Sequence, residues 1–259
     1  MNYRHITFAV AFIFGSMAAP ASAEPRAVVE LFTSQGCSSC PAADKLLGEL
    51  SRDPSLMTMS LAVDYWDYLG WKDTLALHGH SDRQRAYAEA RGDREVYTPQ
   101  VVINGVVHAL GSDKSAIEKA IAQTRRNPTT LSLPVAMSVA DGKVTVKLPD
   151  AQGEKHQGEK HNGEVWLCPV TSKVVVHIGR GENHDRMLTY HNVVRGWIKL
   201  GDWNGSAATY SVALSDIQKG GYSLKDIDRL DVVVQSGVAK KPGLMLGAAS
   251  IGCCTSPSN

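Results

Sequence analysis

The segment of this chain best equipped for chemistry is Cys37-Ser38-Ser39-Cys40-Pro41. Two cysteines separated by two residues can meet across one helical turn. A thiolate at the start of a helix is stabilised, because the free backbone N–H groups and the helix dipole favour negative charge. In thiol–disulfide exchange one thiolate attacks a disulfide and a second thiol resolves the mixed disulfide. The spacing assigns attack to Cys37, facing outward, and resolution to Cys40. Pro41 suits the first helical turn, where its missing N–H would have had no partner. The competing reading is a static staple in an oxidising compartment. A loop this short contributes little chain-entropy stabilisation, which favours a reactive pair.

Two further segments carry reactive or binding chemistry. Tyr97-Thr98-Pro99-Gln100 immediately precedes a short apolar run, and an X-Pro bond at a strand entry is where a cis peptide is tolerated. Asp64-Tyr65-Trp66-Asp67-Tyr68-Leu69-Gly70-Trp71-Lys72-Asp73 leaves another apolar run. In open α/β sheets ligands bind beyond the carboxyl ends of the strands. Trp66, Asp67 and Trp71, with Thr98, are therefore candidate substrate-facing residues, or else a loop packed on the fold. His78 and His80 follow and read as ordinary helix-start residues.

The elements that must position these groups can be read from apolar periodicity. Val28–Thr33 is a buried strand, and Pro41–Leu50 is a helix with Leu46, Leu47 and Leu50 on one face. Met57–Val63 is a second strand. A helix capped by Ser81 runs to Arg91, with Gly92 as its stop. Gln100–Asn104 is a third strand. Asn104-Gly105 is a hairpin signal that returns Val106–Leu110 antiparallel. A last helix, capped at Ser112 or Asp113, turns Ile117, Ala120 and Ile121 inward. This β-α-β-α-β-β-α order describes a thioredoxin core, in which a cis-proline at the Pro99 position faces the cysteine pair.

Beyond Arg125-Arg126-Asn127-Pro128, read as a short linker, helix signals nearly vanish. Strand candidates are 132–139, 143–148, 164–170, 173–178, 207–214, 229–235 and 244–251, with Asp141-Gly142 marking a hairpin. Seven short strands suggest a β-sandwich. The expected fold is thus an α/β thioredoxin-like domain (24–127) followed by a β-rich, β-sandwich-like C-terminal domain (128–259). The pentapeptide Gln-Gly-Glu-Lys-His occurs twice in tandem at 152–161 and reads as an expanded surface loop. Cys168 sits mid-strand as a small buried hydrophobe. Cys253 and Cys254 are adjacent, a spacing that rarely bridges, so either could pair with Cys168.

Residues 1–23 read as a secretory leader: Arg4, an apolar stretch from Ile6 to Phe14, and Ala21-Ser22-Ala23 as a cleavage signal. Cleavage near Ala23 places the protein in the periplasm or outside the cell, where disulfides persist. The remaining chain has as many basic as acidic residues, which argues against nucleic acid as a partner. No stretch is long enough for a membrane-spanning helix. The partners expected are protein thiols or disulfides, with no cofactor and no resident metal.

The chain resembles a family of secreted bacterial thioredoxin-like proteins catalogued as domain of unknown function 1223. The resemblance rests on Val29–Pro41, Val63–Asp67, Gly70–Asp73 and Tyr97–Gln100, and in the second half on Gly179–Asn183 and Asn192–Arg195. It implies a thioredoxin-like domain and a β-rich domain, and no substrate. Three functions remain open. The first is a thiol–disulfide oxidoreductase in which Cys37 attacks, Cys40 resolves and Pro99 shapes the substrate groove. The second is copper handling by the two thiolates, with His108 as the nearest candidate third ligand. The third is a non-catalytic protein-binding module. The polar stretch from Gly179 to Arg195 reads as a loop, packed on the first domain or contacting substrate.

Overall fold

The apolar run of β1 (Ala27–Thr33) is buried along its whole length, as a strand covered on both faces requires. Its alternate residues serve different cores. Val29 and Leu31 pack with Ala43 and Leu47 of α1 (Cys40–Leu50) and with Ile117 and Ile121 of α3 (Lys114–Thr124). Val28 and Phe32 pack on the opposite face with Met59 of β2 (Leu56–Ala62) and Tyr87 of α2 (His78–Arg91). A computed structural model describes residues 24–151, 162–218 and 222–254. The leader and the tandem pentapeptide lie outside the described residues.

The local signals of the first half act as their chemistry dictates. Asn104 and Gly105 both have positive φ and turn β3 (Gln100–Ile103) into antiparallel β4 (Val107–Leu110). Asp113 caps α3 by accepting from the Ala116 N–H at 2.9 Å. Gly92 ends α2 in the left-handed conformation. α2 begins three residues before Ser81, whose hydroxyl instead donates to Asp64 Oδ1.

The expected α/β thioredoxin-like domain followed by a separate β-sandwich-like domain does not form. β8 (Met187–Val194) pairs in parallel with β2 at Ser60 and Val193, and antiparallel with the long β7 (Gly163–His177). The two halves of the chain therefore share one mixed nine-stranded sheet, ordered β12-β11-β7-β8-β2-β1-β3-β4, with β9 (Ile198–Trp203) also on β7. Here β11 is Arg229–Val238 and β12 is Lys241–Gly252. A smaller three-stranded sheet, β10 (Ala208–Ala213), β6 (Lys143–Leu148) and β5 (Ala136–Ala140), packs Val144, Val146 and Leu148 against Val165, Leu167 and Val232. A four-residue helix, α4 (Leu214–Ile217), follows β10.

The reason for one sheet lies in the cores. Phe32, Met59 and Tyr87 from the first half share a cluster with Cys168, Val170, Val194, Val233 and Met245 from the second. A buried polar knot crosses the same seam. Glu30, fully buried on β1, accepts from Arg83 Nε at 2.7 Å and from the Tyr87 hydroxyl at 2.6 Å. Gln235 of β11 closes it, donating to the Tyr87 oxygen at 2.9 Å and accepting from Arg83 at 2.8 Å. A buried charge is tolerated when it is paired and its remaining lone pairs are hydrogen-bonded, and both conditions hold here. Among the described residues no helix is long and apolar enough to cross a membrane.

Candidate functional site

Cys37 and Cys40 are joined as a disulfide at the mouth of α1. Cys40 is the first helical residue, and Ser39 at the N-cap position makes no side-chain capping bond. The first turn holds no acid to oppose the positive end of the helix dipole, which favours a thiolate at Cys37. Cys37 retains 3% of its surface and Cys40 none. Both cysteines are thus buried, and Cys37 does not take the outward-facing position expected from spacing. Ser38 and Ser39 take the exposed positions, with Ser39 Oγ 3.4 Å from Cys37 Sγ.

The loop before the helix is held by its backbone. Gln35 is fully buried. Its N–H donates to Asp73 Oδ2 at 2.7 Å, and its side-chain oxygen accepts the Trp71 indole N–H at 2.8 Å. Asn183, also fully buried, donates to the carbonyls of Gln35 and Cys37, each at 2.9 Å. Ser38 N–H donates to Glu182 Oε2 at 3.2 Å. The polar 179–186 segment between β7 and β8 is therefore a clamp on the cysteine loop, with Gly179 set against the Trp71 ring and Gly181 against the Trp71 Cβ.

The Thr98–Pro99 peptide is cis. Thr98 Oγ1 accepts the Trp66 indole N–H at 2.8 Å, and the Trp66 Cβ abuts Gly36, next to Cys37. Gly111, where a side chain would collide with both Pro99 and Ala43, lets the proline loop close onto α1. Thr98, Pro99, Trp66 and Trp71 are thus gathered around the cysteine loop. Asp67 is spent internally: its carboxylate accepts the Asp73 N–H at 3.0 Å. The group left facing solvent is Tyr68, 76% exposed and stacked on Trp66 with ring centroids 6.3 Å apart. His108 hydrogen-bonds with Tyr97 at 3.0 Å and faces Asp93 at 3.4 Å. Among the described residues no three His, Cys, Asp or Glu side chains are grouped as a metal would need.

Beneath the disulfide lies a feature that motif reading missed. Asp44 stands one helical turn after Cys40, where side chains share a face with Cβ atoms roughly 5–6 Å apart. Neither of its oxygens makes a well-formed hydrogen bond, although the Thr33 hydroxyl lies close enough to favour the ionised form, and the Tyr190 hydroxyl is likewise buried and unpaired. Burial pushes the Asp44 carboxyl up to about 8; the Thr33 hydroxyl pulls it down somewhat, and the charge of Asp73 pushes it higher. Burial also raises Asp73, to about 6, against the backbone N–H groups of Gln35 and Leu75 that hold its ionised form. Both acids raise the Tyr190 hydroxyl further, after burial. The sequence held one usable signal: Asp44 falls on the face shared by Cys40, Ala43 and Leu47, where a solvated carboxylate has no place.

With this geometry in view, likeness to other proteins can be weighed. A family model described as "Protein of unknown function (DUF1223)" matches residues 28–234. The chain belongs to that family. A crystal structure of a protein from Agrobacterium tumefaciens is 30% identical, with TM-score 0.75, covering 88% of this chain and 94% of that one. HBP35 of Porphyromonas gingivalis is 11% identical, with TM-score 0.54 over 91% of this chain and 78% of that one, a likeness of fold alone. No curated protein matches the chain. The family match ends before Cys253 and Cys254. Those two residues, expected not to bridge, form a disulfide with each other, with Cys254 at φ +69°, and Cys168 stays free and buried.

Proposed function

We propose that the protein is a thiol–disulfide oxidoreductase in which Cys37 exchanges with substrate and Cys40 resolves. The observation that carries this reading is the asymmetry of the pair: Cys37 keeps a trace of exposed surface and precedes the helix, Cys40 keeps none and is its first residue, at a helix start with no side-chain cap. A substrate thiolate attacks Cys37 Sγ, the Cys37–Cys40 bond breaks, and Cys40 leaves as a thiolate. Asp44, neutral below pH 8, is one turn away to supply the proton that quenches it. A second substrate thiol then attacks the mixed disulfide and releases Cys37. The substrate dithiol is oxidised by two electrons and the cysteine pair is reduced; the reverse sequence reduces a substrate disulfide. Read with the leader in residues 1–23, the reaction belongs outside the cytoplasm.

The test is a Cys40→Ser substitution. Without its resolving thiol, Cys37 should hold substrate as a mixed disulfide, recovered by non-reducing electrophoresis and lost in Cys37→Ser/Cys40→Ser. If Cys40→Ser traps nothing and the native disulfide resists dithiothreitol in the folded protein, the pair is a staple and the proposal fails.

A further inference from the structure

Between α1 and the start of β8, beginning at Pro41 beside the disulfide, lies a cleft of about 570 Å³. Lys45 and Arg52 rise from the α1 side, and Arg186 and His191 from the β8 side. Among the described residues the Lys45 and Arg52 side chains have no ion-pair partner. Arg186 donates through Nη1 to Asn183 Oδ1 at 2.7 Å, which ties the cleft wall to the residue holding the Cys37 carbonyl. The His191 ring lies against Gly48, where a Cβ would sit 2.4 Å from it, so it closes the cleft onto the helix backbone. Glu49 is the exposed acid of the lining; the other carboxyl, Asp44, is buried in the cleft floor. Three fixed cations against one anion stand in a chain whose formal net charge is only +1. A concave site lined by one sign of charge concentrates ligands of the other.

We propose that this cleft is the substrate-recognition site for thiols or disulfides that carry carboxylate groups close to their sulfur. A carboxylate seated between Lys45 and Arg186, at the end of the cleft that begins at Pro41, leaves its attached sulfur towards the cysteine pair, while Arg52, further along the helix, adds attraction at longer range. The inference rests on the oxidoreductase reading, since it names the substrate of that site.

The experiment measures exchange of the reduced wild-type protein with three small disulfides. These are anionic 3,3′-dithiodipropionate, neutral bis(2-hydroxyethyl) disulfide and cationic cystamine, each rate divided by that with free dithiothreitol. The expected order is anionic, neutral, cationic, with a preference for the anionic over the neutral compound of about tenfold at low salt that shrinks towards parity near 1 M salt. The exposed pair Lys45→Gln/Arg52→Gln should abolish that preference. Equal normalised rates in the wild type, or a preference that survives the double substitution, overturn the inference and leave the oxidoreductase reading standing. No reaction with any of the three refutes both.

Discussion

Replacing Asp44 by Asn should stabilise the protein and slow its chemistry at once. The side chain is fully buried, its oxygens are unpartnered, and its carboxyl titrates near 8 in the folded protein against 3.8 when exposed. In the unfolded chain Asp44 releases its proton above pH 4, whereas the folded chain keeps it up to pH 8. Stability is therefore fully present below pH 3.8 and is lost as pH rises towards 8. Each pH unit in that window removes ~1.4 kcal/mol, so the wild type gives up roughly 4 kcal/mol at pH 7. Asn is nearly isosteric and does not ionise. Asp44→Asn should lie up to about 2 kcal/mol below the wild type at pH 4, through the amide's own desolvation, and exceed it by roughly 2–4 kcal/mol at pH 7. The assay is guanidinium unfolding of both oxidised proteins at pH 4, 5.5, 7 and 8.5. The same samples should show slower exchange for the variant, since Cys40 then leaves without a proton donor. Asp73, raised to about 6, bends both stability curves alike and cancels in the difference. A difference that stays flat between pH 4 and pH 8 would refute the placement of Asp44 as a buried neutral acid.

Three further outcomes follow from named contacts. Asn183→Ala removes the donor to the Gln35 and Cys37 carbonyls; it should cost roughly 1–3 kcal/mol in urea unfolding and speed reduction of the Cys37–Cys40 disulfide by dithiothreitol severalfold. Arg83→Leu strands the buried Glu30 carboxylate and should cost about 3–5 kcal/mol by the same measurement, whereas a loss below ~1 kcal/mol would mean the knot holds nothing together. His80 is held neutral by burial, with its ring lowered to about 4 and its Nδ1 on the Ala62 carbonyl. The unfolded chain takes up that proton below pH 6.5, so stability falls between pH 6.5 and 4 by roughly 3 kcal/mol, and His80→Gln should flatten this acid arm in thermal melts.

Much of the site was legible because its signals are local. A cysteine spacing, a Thr-Pro at a strand entry and an Asn-Gly turn each follow from a few adjacent residues, and each sits where such residues place it. The joining of the two halves was not legible, and the reason is specific. β8 carries Thr189, His191 and Asn192 among its apolar residues, so it reads as loop. Its polar members have local tasks: Asn192, at positive φ, donates to Thr58 Oγ1, and His191 lies on Gly48. Only the pairing partner, β2, explains why a strand forms there, and a pairing between residues 60 and 193 leaves no trace in a window of local sequence.

That missed strand changes what the cysteine pair is for. An isolated α/β domain would present its disulfide on an open sheet edge, bounded by the Trp66 and Thr98 loops alone. Here β8 runs beside β2, and the segment leading into it passes over the disulfide. Asn183 fixes the Cys37 carbonyl, Glu182 meets the Ser38 amide, and Arg186 carries a cation from that contact into the cleft beside α1. The second half of the chain thus restricts access to Cys37 and sets the charge of the surface next to it. The exchange chemistry proposed above needs a thiolate favoured by its surroundings, and the first half places Cys37 at the start of α1, where the helix dipole has that effect. Selectivity needs a surface that distinguishes one disulfide from another, and the segment from Gly179 to His191 is the part of the fold placed to provide it.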